Sequence, residues 1–292
     1  VNFLPVSTGL YRYDAQTQVY KAHGFDRNPW DRAVQFEDEL IRKDAFPADS
    51  GFELRYPFVI EGFEALPRLE LVVERGDRYD VTVNGHPLRL VQGQSWLDRS
   101  FKVFAIEPAW LRSGENVIKT AAQPFSIHHE PEPIFLLGDF TLRSAAKGWI
   151  MEPPRPLALG SWTDQGCPFY AGRMAYTQTF ACRQVPARYA VEILESPGVV
   201  ARVDVNGQSA GYIGWQPWRL DVTDRIVTGE NSVTVTLFGS LKNLLGPHHR
   251  GPIRGSAWPN AFYHSMPVGP PPGKTYDLID YGLSRPFSLC RE

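Results

Sequence analysis

Cysteine is scarce in this chain. Cys167, Cys182 and Cys290 are the three among 292 residues; without paired spacing they exclude a disulfide framework and a thiolate zinc site, leaving buried thiols. Charge of one sign is missing too: 30 basic against 32 acidic side chains give a net charge of −2, without the basic face that nucleic-acid binders carry. No run approaches the ~20 apolar residues of a membrane span. The opening Val1-Asn2-Phe3-Leu4-Pro5 lacks the charge and apolar core of a signal peptide. Val1 in place of Met suggests a processed or cut chain, so the compartment stays open: extracellular or periplasmic if a leader was removed, cytoplasmic otherwise.

What is present is short-range alternation. In Arg202-Val203-Asp204-Val205 the valines share one face and the charged residues the other, the pattern of a half-buried strand. Asn206-Gly207 follows, and both residues tolerate the positive φ of a type I′ hairpin turn. Gly229-Glu230-Asn231 then leads into a second alternating run, Ser232 to Leu237. The same grammar stands earlier, where Asp80-Val81-Thr82-Val83 ends in Asn84-Gly85 and Gly114-Glu115-Asn116 precedes Val117 to Ala122. The Asn-Gly pairs are 122 residues apart (206 − 84) and the Gly-Glu-Asn turns 115 (229 − 114), a degenerate tandem repeat with a longer loop in its first copy. Short strands split by Pro and Gly, in two copies, predict an all-β protein of two tandem β-sandwiches.

Three regions are expected. Residues 1–48 form an irregular lead-in, where Tyr11, Tyr13, Tyr20, Phe25 and Trp30 follow no sustained period, with one short helix over Val34–Lys43. The first sandwich spans 49–150 and the second 151–292. Between them Met151-Glu152-Pro153-Pro154-Arg155-Pro156 stops a sheet, because Pro has no amide hydrogen to donate. Tyr281-Gly282-Leu283 is expected to return as a last strand.

The strand endings Val83-Asn84-Gly85 and Val205-Asn206-Gly207, the segment Asp221-Val222-Thr223, the two Gly-Glu-Asn turns and Gly246-Pro247-His248-His249 resemble galactose-binding-like jelly-roll domains. These domains are attached to large bacterial glycoside hydrolases of the family 2 type and relatives. The resemblance covers roughly residues 50 to 290. It implies a region that binds carbohydrate or buttresses a catalytic domain of the same or a partner chain. It implies no chemistry of its own, because the ~250-residue barrel that would carry two catalytic carboxylates is missing from these residues. Neither nucleic acid nor a membrane is an expected partner.

Aromatic residues make up 13% of the chain, with eight Trp and twelve Tyr. Such rings fill sandwich cores, and they also stack on the apolar face of a pyranose. The expected sugar site lies at one end of the second sandwich. Trp162, Tyr170, Trp215 and Trp258 would stack there, and Gln165, Asn243, His248, His249 and Arg250 would meet hydroxyls. Gly214 and Pro217 interrupt a strand around Trp215, which places its ring on a loop, while Trp218 starts the next strand and is more buried. Trp96 is a weaker candidate.

Two rival readings stand beside this one. A catalytic pair could be Glu130 with Glu132, or Asp139 with Asp164, at the ~5–5.5 Å of a retaining or the ~6.5–9.5 Å of an inverting enzyme; sequence spacing sets neither distance. A purely structural interdomain module is the other. His248, His249 and His264 are not expected to hold a metal, because adjacent His point to different sides of a strand. No cofactor is expected, although a structural Ca²⁺ fits a jelly roll. Gly255-Ser256-Ala257 lacks the form of a nucleophile elbow, and Ser161 has no such context either.

Overall fold

A computed structural model describes residues 1–8, 12–26, 28–29, 45–131, 134–183, 187–194, 198–249 and 271–291. In it Asn84 (φ 48°) and Gly85 (φ 87°) turn the chain through the left-handed region, and Asn206 (φ 51°) with Gly207 (φ 77°) repeat the turn. These are the two positive φ values that a type I′ hairpin requires. The alternation read in the sequence is present beside them. Val203 and Val205 are buried, and Arg202 pairs with Asp204 across the other face of the strand at 2.9 Å.

The chain divides into two compact units, Val1–Arg155 with Pro247–Asp277, and Pro156–Gly246 with Leu278–Glu292. The first contains β1 (Asn2–Val6), α1 (Arg12–Ala22), β2 (Phe52–Ile60), β3 (Leu69–Glu74), β4 (Asp80–Val83), β5 (His86–Pro87), β6 (Leu90–Trp96), β7 (Asp98–Ile106), β8 (Gly114–Ala122), β9 (Ile134–Gly138), β10 (Thr141–Ser144) and β11 (Trp149–Glu152). One sheet runs β1-β9-β3-β7-β6 and the other β10-β11-β2-β8-β4-β5. All neighbours are antiparallel except β11 beside β2.

The second unit contains β12 (Arg173–Cys182), β13 (Tyr189–Glu192), β14 (Val200–Val205), β15 (Gln208–Ile213), β16 (Arg219–Asp221), β17 (Gly229–Phe238), the short α2 (Lys242–Leu245) and β18 (Ser288–Arg291). Its sheets run β12-β17-β14-β15 and β16-β13-β18. Both orders repeat those of the first unit: β2-β8-β4-β5 corresponds to β12-β17-β14-β15, and β9-β3-β7 to β18-β13-β16. Register follows, since Ile60 faces Gly114 and Cys182 faces Gly229. In the second unit one core joins both sheets, with Val191 of β13 among Val203, Val205, Val233, Val235 and Leu237. That shared core makes it a sandwich.

Several expectations change. Among the described residues, 247–249 and 271–277 group with the first unit rather than with the second copy. The reason lies at Gly148, whose amide donates to Pro271 O at 2.8 Å, and at Gly273, whose amide donates to Ala145 O at 3.1 Å. A Cβ on Gly273 would sit 2.6 Å from Gly148 O, so only glycine permits this approach. The lead-in is not wholly irregular. β1 takes the edge of its sheet, where Pro5 can stand without a ladder donor, and α1 buries Ala15, Val19 and Tyr20, too few apolar positions to show a period. The helix expected over 34–43 lies outside the described residues. Tyr281-Gly282-Leu283 is no strand, because Gly282 (φ 126°) bends there; the last strand is β18. Among the described residues no helix is long and apolar enough to cross a membrane.

Candidate functional site

The two Asn-Gly turns are held by one bonding scheme, used twice. In the first unit Asn84 Nδ2 donates to Trp110 O and Asn116 Oδ1, both at 2.8 Å, and Asn84 Oδ1 accepts from Val117 N at 3.0 Å. Asn116 Oδ1 also accepts from Arg112 N, and its Nδ2 donates to Arg112 O and Gly114 O. In the second unit Asn206 donates to Arg225 O and Asn231 Oδ1 and accepts from Ser232 N. Asn231 bonds Val227 N, Val227 O and Gly229 O in turn. Both Asn116 and Asn231 are fully buried. Their amides therefore answer backbone groups that would otherwise lose hydrogen bonds. This scheme ties each Asn-Gly turn to the segment that leads into β8 or β17.

The second unit displays Trp215, 80% exposed, the highest exposure of any large hydrophobic residue described. Its loop is pinned at both ends. Ile213 is buried before it, and after it Trp218 packs half-buried against the core while its carbonyl accepts from Ile193 N at 2.9 Å. Tyr212, on the preceding strand, is exposed as well. The loop placement of Trp215 agrees with the Gly214 and Pro217 interruptions, while Trp218 is only half-buried.

Most of the other expected site residues are engaged in the scaffold. Trp162 is 2% exposed, its indole donates to Tyr176 Oη at 2.8 Å, and its ring lies within the core against Tyr170 and Tyr281; it cannot stack on a ligand. Its position follows from Trp162 N donating to Tyr281 O, which draws the segment inward. Tyr170 is half-buried and donates to Arg173 O at 3.0 Å. Gln165 accepts from Ala158 N at 2.6 Å and donates to Ser161 O at 3.1 Å, closing its own loop. Asn243 is buried and meets the Ile279 backbone through both side-chain atoms at 2.8 Å. His248 and His249 fall in the first unit, where both rings approach Tyr276, His249 edge-on at 4.4 Å. Arg250 and Trp258 lie outside the described residues. The expected set is thus not one cluster of free side chains. Trp96, the weaker candidate, packs against Phe3, Phe101 and Phe135.

The carboxylate pairs fare differently from one another. Glu130 is half-buried and Glu132 lies outside the described residues, while Asp139 and Asp164 are exposed and belong to different units. Among the described residues no three His, Cys, Asp or Glu side chains group as a metal site. Of the thiols, Cys167 and Cys182 are buried and Cys290 is half-buried; burial pushes the Cys167 thiol up from its ordinary value.

Sequence reading missed a cavity of about 260 Å³ in the first unit, lined by Ser7, Phe58, Glu115, Lys147, Trp149 and Tyr276 among others. Trp149 and Tyr276 meet edge to face there, with centroids 5.7 Å apart. The residues come from β1, β2, β8, β11 and the turn after Gly273, a convergence that no local pattern announces.

No family model matches the chain. A protein of Formosa agariphila provisionally named a β-glucuronidase is 30% identical over 121 residues, which is 39% of this chain and 10% of that protein. Among solved structures, the rhamnosidase of Novosphingobium sp. PP1Y aligns with 88% of this chain and 26% of its own, at 16% identity and a TM-score of 0.34. The β-glucuronidase of Bifidobacterium dentium aligns with 51% of this chain and 28% of its own, at 21% identity and a TM-score of 0.30. The Pleurotus ostreatus lectin aligns with 65% of this chain and 68% of its own, at 16% identity and a TM-score of 0.21. The chain spans 10% of the length of the curated relative it matches. The family resemblance read from the Asn-Gly and Gly-Glu-Asn turns comes down to distant similarity with a portion of the Formosa agariphila protein.

Proposed function

We propose that this chain is a non-catalytic accessory region of a glycoside hydrolase that engages glycan through Trp215. The observation that carries the reading is the display of this ring, fully outside the core yet anchored by Ile213 and Trp218 on either side. An indole face held open to solvent is what stacking on the apolar face of a pyranose needs. The segment shared with the Formosa agariphila protein supports the hydrolase context, and the catalytic domain would be supplied by the same or a partner chain. A second reading, a structural module without ligand, is favoured by one observation: Gln165 and Asn243 are bonded to backbone.

Glycan-array binding, run beside an aryl-glycoside and polysaccharide hydrolysis assay, tests both readings. Binding without turnover is the expected result, with Glu130→Gln and Glu132→Gln leaving binding intact. Turnover that either substitution abolishes would make the chain an enzyme, and an array without any bound glycan would leave the structural module.

A further inference from the structure

We infer that the cavity of the first unit is a second sugar site, which takes a single neutral pyranose unit. The carbohydrate class rests on the function proposed above; the cavity does not. At about 260 Å³ it falls below the ~300–1,000 Å³ of pockets that enclose drug-sized ligands, so one ring fits and an oligosaccharide does not. Trp149 and Tyr276, at 79° to each other, form an aromatic corner against which the apolar face of a sugar packs. The frame is stiff: the amides of Gly148 and Gly273 donate to Pro271 O and Ala145 O, and Gly273 lies close beneath the Trp149 ring.

Polar recognition comes from Glu115 and Lys147, both exposed and neither ion-paired with any described residue. A carboxylate accepts from two vicinal hydroxyls, and an ammonium donates to a third oxygen. One charge of each sign leaves the lining neutral. A uronate finds no excess cation in this lining, because Glu115 offsets Lys147, which favours the neutral sugar.

Saturation-transfer NMR titration of the whole chain tests this with the methyl pyranosides of glucose, galactose and mannose, and with methyl glucuronide. At least one neutral pyranoside is expected to bind with a Kd near ~1 mM and to shift the Trp149 indole N–H signal. Glu115→Gln, an exposed change that leaves the core untouched, is expected to weaken binding at least about fivefold, Trp149→Phe to weaken it too, and Trp215→Ala to leave it unchanged. Binding of the glucuronide alone overturns the assignment. So does an absence of binding, or binding that neither Glu115→Gln nor Trp149→Phe alters. If Trp215→Ala abolishes glycan binding while the cavity variants retain it, the proposed function stands and this site falls. The opposite pattern keeps the cavity and removes Trp215.

Discussion

The two units share a bonding scheme and differ in what surrounds it. Asn84 with Asn116 and Asn206 with Asn231 make the same contacts to the same backbone positions. Yet the short 3-10 turns between them start differently. In the first unit Pro108 opens the turn Pro108–Trp110, with φ preset by its ring. In the second Asp221 Oδ1 accepts from Thr223 N at 2.9 Å, and Thr223 Oγ1 accepts from Tyr189 N at 3.0 Å. The buried Asn116 and Asn231 amides thus recur in both units while the start of the turn beside them differs, because the amides satisfy fixed backbone positions and the turn can be opened either by Pro108 or by the Asp221 and Thr223 side chains.

The largest expected effect lies outside the shared scheme. Trp162→Ala removes a core indole and its bond to Tyr176, and is expected to cost the second unit about 3–5 kcal/mol, read by denaturant unfolding. Next, Asn116→Ala and Asn231→Ala each remove a fully buried amide and three hydrogen bonds to the backbone, for about 2–4 kcal/mol. Hydrogen exchange resolved by unit should show two matching losses, each confined to its own unit. Clearly unequal losses would break the comparison.

A smaller effect sharpens it. The Thr223 hydroxyl and amide hold the Asp221 carboxyl below the ordinary aspartate value. The stabilisation is therefore present above the unfolded pKa and is lost as pH falls through the lower folded value. The turn Thr223–Arg225 should loosen on acidification while Pro108–Trp110 does not, and Asp221→Asn should remove that difference. Amide chemical shifts followed from about pH 5 down to 2 check it.

The repeat was legible because its determinants are local: Asn-Gly needs positive φ at two adjacent residues, and Gly-Glu-Asn opens a strand. Loop placement of Trp215 was legible for the same reason. Trp162 was not, since its burial depends on Tyr281, 119 residues on, as well as on Tyr176. Gln165 and Asn243 read as polar loop residues, but Gln165 closes its own loop and Asn243 bonds the Ile279 backbone 36 residues on, which no composition shows. The cavity depends on β1 and the turn after Gly273 lying near β11, a long-range pairing. β1 itself was hidden by Pro5, which reads as a breaker until the strand is known to lie at an edge.

The most direct measurement is calorimetric titration of the chain and of Trp215→Ala with an oligosaccharide found on the glycan array. The account predicts binding weakened about tenfold, with stability changed by no more than ~0.5 kcal/mol, as for other surface substitutions. Equal affinity for the two proteins, or a large loss of stability at Trp215, would contradict it.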